Sequence, residues 1–130
     1  MPVSGAVIVT TPQDIALLDA RKGIEMFRKV SVPVLGVVEN MSLHVCSKCG
    51  HSEPIFGEGG GERIASQYDT RLLGQLPLQL AIREQADGGR PTVVAEPNGD
   101  VAHTFREMAR AVARSVENQS DEGPSISFGD

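Results

Sequence analysis

The chain has only two cysteines in 130 residues, no cluster of basic residues and no long apolar run. Each shortage excludes something. Two cysteines cannot supply the disulfide framework on which small secreted domains depend. A single domain of this length buries a real core without one. The formal net charge is −5 and the Lys and Arg residues are scattered, so the basic patch of a nucleic-acid surface is missing. No stretch approaches the ~20 apolar residues that span a bilayer. The N-terminus does not run from basic to apolar as a signal peptide does. The expectation is a cytoplasmic protein with neither nucleic acid nor membrane as a partner. Its two cysteines stand at C-x-x-C spacing, which reads as metal or redox chemistry.

What is present is an alternation of strands and helices. Val3 to Thr10, "VSGAVIVT", is rich in β-branched residues, and Gly5 to Val9 carries no polar side chain, the pattern of a strand buried on both faces. "TPQD" follows. Thr11 suits a helix cap, Pro12 the first helical position and Asp14 the acid of a capping box. Leu17, Ala20, Ile24 and Phe27, spaced by three and four, make one apolar helix face. "PVLGVV", Pro33 to Val38, is a second strand of the buried type. A strand, a helix and a strand in this order imply parallel pairing.

Residues 42 to 61 read as a long functional loop, and Glu62 to Tyr68 as a short helix. "RLLGQL", Arg71 to Leu76, reads as a third strand ended by Pro77. Leu80 to Ala86 reads as helix, broken by "DGGRP". Asn98 or Asp100 caps a last helix with Val101, Phe105, Met108, Val112 and Val116 on one face. From Asn118 onward the chain reads as a loose polar tail. The fold class is therefore α/β, a parallel sheet with flanking helices. Three strands are few for this architecture, and the chain reads as the second half of a larger doubly wound domain.

Open parallel sheets bind ligands beyond the carboxyl ends of their strands. "TTPQD", "ENMS" and "LPLQ" converge there. Asn40 offers both a donor and an acceptor, as a purine edge requires, although Asn also caps turns for its own reasons. "GEGGGER", residues 57 to 63, opens a helix with bare N–H groups. It lacks the lysine and the spacing of a phosphate loop, and a flexible hinge is the simpler reading.

The loop "ENMSLHVCSKCGHSEPIFGEGGG" holds four candidate ligands, His44, Cys46, Cys49 and His51. Cys46 and Cys49 with the two histidines would make an intrachain zinc knuckle. The same two cysteines would make a redox dithiol if Cys46 opened a helix, which Gly50 and Pro54 oppose. On a twofold axis, two chains would assemble the four thiolates of a [4Fe–4S] cluster. A C-x-x-C pair with no function is the remaining option, and spacing alone does not choose between zinc and iron–sulfur.

"GAVIVTTPQDIALLDARKGIEMFRKVSVPVLGVVENMS", "CSKCGH", "IFGEGGGERIA", "LLGQLPL", "IREQADGGRP" and "FREMA" together resemble the Mrp/ApbC-type P-loop ATPases, iron–sulfur cluster carriers related to MinD and ParA. The resemblance runs in order from residue 5 to about 114. It implies a homodimer bridged by a [4Fe–4S] cluster on Cys46 and Cys49, and transfer of the cluster to recipient apoproteins. It also implies ATP, with Mg²⁺ in the full-length family, its adenine read by Asn40 and its base pocket lined near Pro77. The phosphate loop and the Walker B strand of that family have no counterpart here, so no catalytic residue is assigned for ATP hydrolysis. Gln79 stands where the family often has Asp. On this reading residues 1–117 are the C-terminal half of a P-loop NTPase-like domain with a metal loop at 42–61, and 118–130 are a tail. The alternative class is a zinc-binding structural or interaction module without catalysis.

Overall fold

A computed structural model describes residues 3–122. Strand β1 (Ala6–Thr10) leads into helix α1 (Asp14–Lys29) and strand β2 (Val34–Glu39). A two-residue hairpin follows, β3 (His44–Val45) and β4 (Ser52–Glu53), then helix α2 (Gly60–Gln67) and strand β5 (Leu72–Gln75). Helices α3 (Leu80–Asp87), α4 (Thr92–Ala95) and α5 (Asp100–Glu122) complete the described chain. The main sheet has the order β1-β2-β5, and both pairings are parallel. This is the expected α/β class.

Strand β2 lies in the middle, and its residues Leu35 to Glu39 are all buried, as an unbroken apolar run demands. One sheet face is covered by α1 and α2, where Ile8, Leu17, Ala20, Ile24, Val37, Ile64 and Ala65 form the larger core. Phe27 packs against its margin, so the face read from helical spacing is the one that is buried. Arg28 stacks on the Tyr68 ring, 5.3 Å from its centroid, and donates to the Tyr68 carbonyl, tying α1 to the end of α2. The opposite face is covered by α5 alone, with Met108 against Val38 and Leu76.

That asymmetry corrects the reading of the first strand. Across the sheet, helix α5 packs against β5 and β2. Val7 and Val9 point to the same face beyond its reach and are 38% and 63% exposed. Strand β1 is thus buried on one face and is the edge of the sheet. The first helix also starts later than "TPQD" suggested. It opens at Asp14 with Gln13 at the cap and no side-chain cap bond, while the Thr11 hydroxyl donates to the Gln13 side chain instead.

The long loop contains the β3–β4 hairpin, and the helix after it begins at Gly60, two residues before Glu62. Helix α5 continues through Glu122, so residues 118–122 are helical rather than tail. The rest of the tail reading, residues 123–130, lies outside the described residues.

Candidate functional site

The carboxyl ends of β2 and β5 carry the site. Beyond β2 the chain turns at Met41, whose φ of 57° is left-handed. The Asn40 side-chain oxygen makes that turn possible by accepting the Met41 N–H at 2.9 Å. Its amide nitrogen makes no hydrogen bond among the described residues. Asn40 therefore does the work of a turn residue while keeping two donors available. It borders a depression of about 430 Å³ against Thr10, Thr11 and Asp19. Pro77 opens on a different depression, of about 420 Å³, with Ser42, Gln75 and Glu62. The two residues follow adjacent strands, and the ends are stitched by Leu76 N–H to the Glu39 carbonyl (2.8 Å) and Ser42 N–H to the Leu76 carbonyl (2.9 Å).

The cysteines sit at the tip of the hairpin. In the strands below, His44 pairs with Glu53 and Val45 with Ser52. The hairpin is docked beside the segment after β5, where Leu78 N–H donates to the Leu43 carbonyl at 2.7 Å and Val45 N–H to the Leu78 carbonyl at 3.1 Å. At the tip, Cys46 N–H donates to the His51 carbonyl and Gly50 N–H to the Cys46 carbonyl, both at 2.9 Å. Closing this turn needs a left-handed residue, and Gly50 supplies it at φ 73°.

Within that turn the backbone N–H groups of Lys48 and Cys49 are directed at the Cys46 sulfur. They are the main reason its pKa is lowered from the ordinary thiol value, and the Cys49 thiol adds to the effect. Burial opposes them. Cys46 is half-buried and Cys49 exposed, and neither is in a disulfide. A thiol whose anion is favoured by backbone donors has the chemistry of a candidate metal ligand. No helix begins at Cys46, so the dithiol reading lacks the helix N-terminus it needed. Among the described residues no three His, Cys, Asp or Glu side chains are grouped to hold a metal ion. His51 instead faces Glu53 at 3.8 Å. Among the described residues the intrachain knuckle completed by His44 and His51 is not assembled, and one chain offers two cysteine sulfurs.

The residue that sequence reading passed over is Glu39. It ends the buried strand at 1% exposure. Its carboxylate accepts the N–H of Gly61, 2.8 Å away, at the first turn of α2. A carboxylate this deep needs a donor, and the helix N-terminus gives one with a favourable dipole. The signal was available: an acid closing an apolar strand, with a Gly-rich helix start 22 residues later. The same contact bears on "GEGGGER". One of the N–H groups that would hold a phosphate there, that of Gly61, is spent on Glu39.

The comparisons agree with the fold. The ParA family, described as NUBPL iron-transfer P-loop NTPases, matches residues 1–113. An iron–sulfur cluster carrier protein of Pseudomonas fragi is 61% identical over 116 residues, covering 89% of this chain and 40% of its own. The chain thus spans well under half the length of that relative. Among solved structures, a nucleotide-binding protein from Archaeoglobus fulgidus in complex with ADP is 35% identical. It has a TM-score of 0.59 and covers 75% of this chain and 39% of its own. The cell division ATPase MinD of Pyrococcus furiosus shares the fold at a TM-score of 0.63 and 24% identity, covering 85% of this chain and 43% of its own. The family match over most of the chain leads to one assignment: the chain belongs to the ParA family of NUBPL-type iron-transfer P-loop NTPases.

Proposed function

We propose that this chain carries an iron–sulfur cluster as cargo on Cys46 and Cys49 and passes it to recipient apoproteins. One observation carries the reading. The hairpin tip presents two thiols, one with its thiolate favoured by backbone donors and the other exposed, and no third ligand joins them among the described residues. Four thiolates make a [4Fe–4S] site, so two copies meet at a twofold axis through their hairpins. Transfer is then an exchange of ligands. Each iron–thiolate bond to this chain is replaced by one to a recipient thiolate, with no change in electron count. A relative named as an iron–sulfur cluster carrier supports the cargo.

ATP belongs to the same proposal. Asn40, with two unused amide donors, reads the adenine edge; the segment at Pro77, which opens on a separate depression beyond the adjacent strand, is assigned to the base side from the family resemblance alone. The ADP complex of the Archaeoglobus relative supports nucleotide binding in this fold. Hydrolysis needs a phosphate cradle and Mg²⁺ ligands, and we assign neither to residues of this chain. The place of action is the cytoplasm, consistent with two close cysteines left unpaired. No helix among the described residues is long and apolar enough to cross a membrane.

Anaerobic reconstitution tests the cargo. Iron and acid-labile sulfide in equal amounts, with one cluster per two chains, are expected. One zinc per chain, with no sulfide, would replace this reading by the zinc module.

A further inference from the structure

The cysteine loop leaves the sheet at Asn40 and returns to it at α2, so it has two feet. The first is laced to the strand ends by the Ser42, Leu43 and Val45 backbone bonds. The second is built of glycines. Gly57 and Gly59 hold φ of 108° and 71°, conformations other residues rarely take. The helix that follows is seated against Leu17 and Pro12 at Gly60 and against Glu39 at Gly61. Gly61 sits so close to Glu39 that a Cβ there would lie 2.8 Å from the carboxylate oxygen and 3.0 Å from the Glu39 Cβ.

The peptide joining Glu39 to Asn40 is clamped on both sides. Its carbonyl accepts Leu76 N–H at 2.8 Å and the Ser42 hydroxyl at 3.2 Å, and its N–H donates to the Thr10 carbonyl at 2.7 Å. Side chains alternate along an extended chain. Glu39 reaches into the α2 side, while Asn40 borders the depression at the β1 edge. The first foot continues directly from the Asn40 turn through Met41 and Ser42, whereas the second foot meets the end of β2 through the Glu39 carboxylate.

We propose that Glu39 is a positioning residue, a pin that fixes the second foot of the cysteine loop to the end of β2 and transmits the state of the Asn40 turn to it. The pin is a property of the bare chain. Its weight for cargo handling rests on the carrier reading above.

Amide hydrogen exchange on the metal-free chain tests the pin. Glu39→Gln keeps the shape and removes the charge that the helix N-terminus faces. It is expected to raise exchange at the hydrogen-bonded amides of Gly61 and Arg63 about tenfold while Ile24 and Val37 keep their protection. Asn40→Ala is expected to raise exchange at the same residues in the wild-type background and to add nothing in the Glu39→Gln background. A rise spread evenly over the core, or Asn40→Ala acting alike in both backgrounds, would overturn the proposal. If Glu39→Gln does not fold, Glu39→Asp retains the charge and shortens the reach by one methylene, and the same local rise is expected of it. On loaded dimers, chelators are expected to extract iron several times faster from Glu39→Gln than from wild type. Equal rates would show that Glu39 does not act on the cysteines. Failure of the wild type to load iron would sink the carrier reading and leave the exchange result standing.

Discussion

The backbone N–H of Cys49 points at the sulfur of Cys46, three residues back, so the hairpin tip prepares one thiol with the backbone of the other. Such a turn favours an anion before any metal arrives.

The first prediction concerns pH. The Cys46 pKa is lowered in the folded chain, chiefly by the Lys48 N–H. Its thiolate therefore persists to lower pH than in the unfolded chain. The sign for stability follows. The contribution is present above the unfolded thiol value and is lost as pH falls through the lower folded one. Alkylation by iodoacetamide, followed at Cys46 by peptide mapping, should have its midpoint at lower pH in buffer than in denaturant. Coincident midpoints would remove the thiolate-favouring role of the turn.

Ligand substitutions should separate sharply. Cys46→Ser and Cys49→Ser each remove cluster loading, yet both residues lie on a hairpin outside the two cores. Stability should change by no more than about 0.5 kcal/mol. His44→Ala and His51→Ala should retain the full iron and sulfide load. Loss of iron in either histidine variant would bring an imidazole into the ligand set.

Two glycine-to-alanine changes should act in opposite directions. Gly23 lies inside α1, and a Cβ there would meet nothing nearer than the Ile8 Cδ1 at 4.0 Å. Gly23→Ala should stabilise by about 0.5–1 kcal/mol through helix propensity. Gly61→Ala collides with Glu39 and should destabilise by about 1–3 kcal/mol. Urea unfolding of the three chains measures both. Equal midpoints for wild type and Gly61→Ala would mean that Glu39 yields without cost.

Chelation should undo assembly. If the cluster links two chains, light scattering on loaded protein should give dimers, and removing iron should return monomers, because binding and association are coupled. A loaded monomer with a complete cluster would need ligands beyond Cys46 and Cys49.

Much of this was legible in the residues. The Leu17, Ala20, Ile24 and Phe27 face and the unbroken run in β2 follow from period and polarity, which local chemistry sets. The exposure of Val7 and Val9 was not legible, because it depends on how far α5 reaches across the sheet. Nor were β3 and β4, since two residues carry no period. Thr11 has the chemistry of a cap but spends its hydroxyl on Gln13. The cysteine spacing marked the candidate site, while its Glu39 support depends on a contact across 22 residues that no local pattern encodes.

Among the described residues strand β1 has one neighbour, and its other side is a row of peptide groups flanked by Val7 and Val9. An edge of this kind is where strands add. Two forms of self-association are therefore open to the chain, and they answer to different variables. Hairpin-linked pairs of the proposed kind should depend on iron and vanish with a chelator. Edge-linked ones grow with protein concentration whatever the metal content, and a lysine in place of Val9 would suppress them. Particle size at a single concentration mixes the two, whereas a dilution series run with and without iron resolves them.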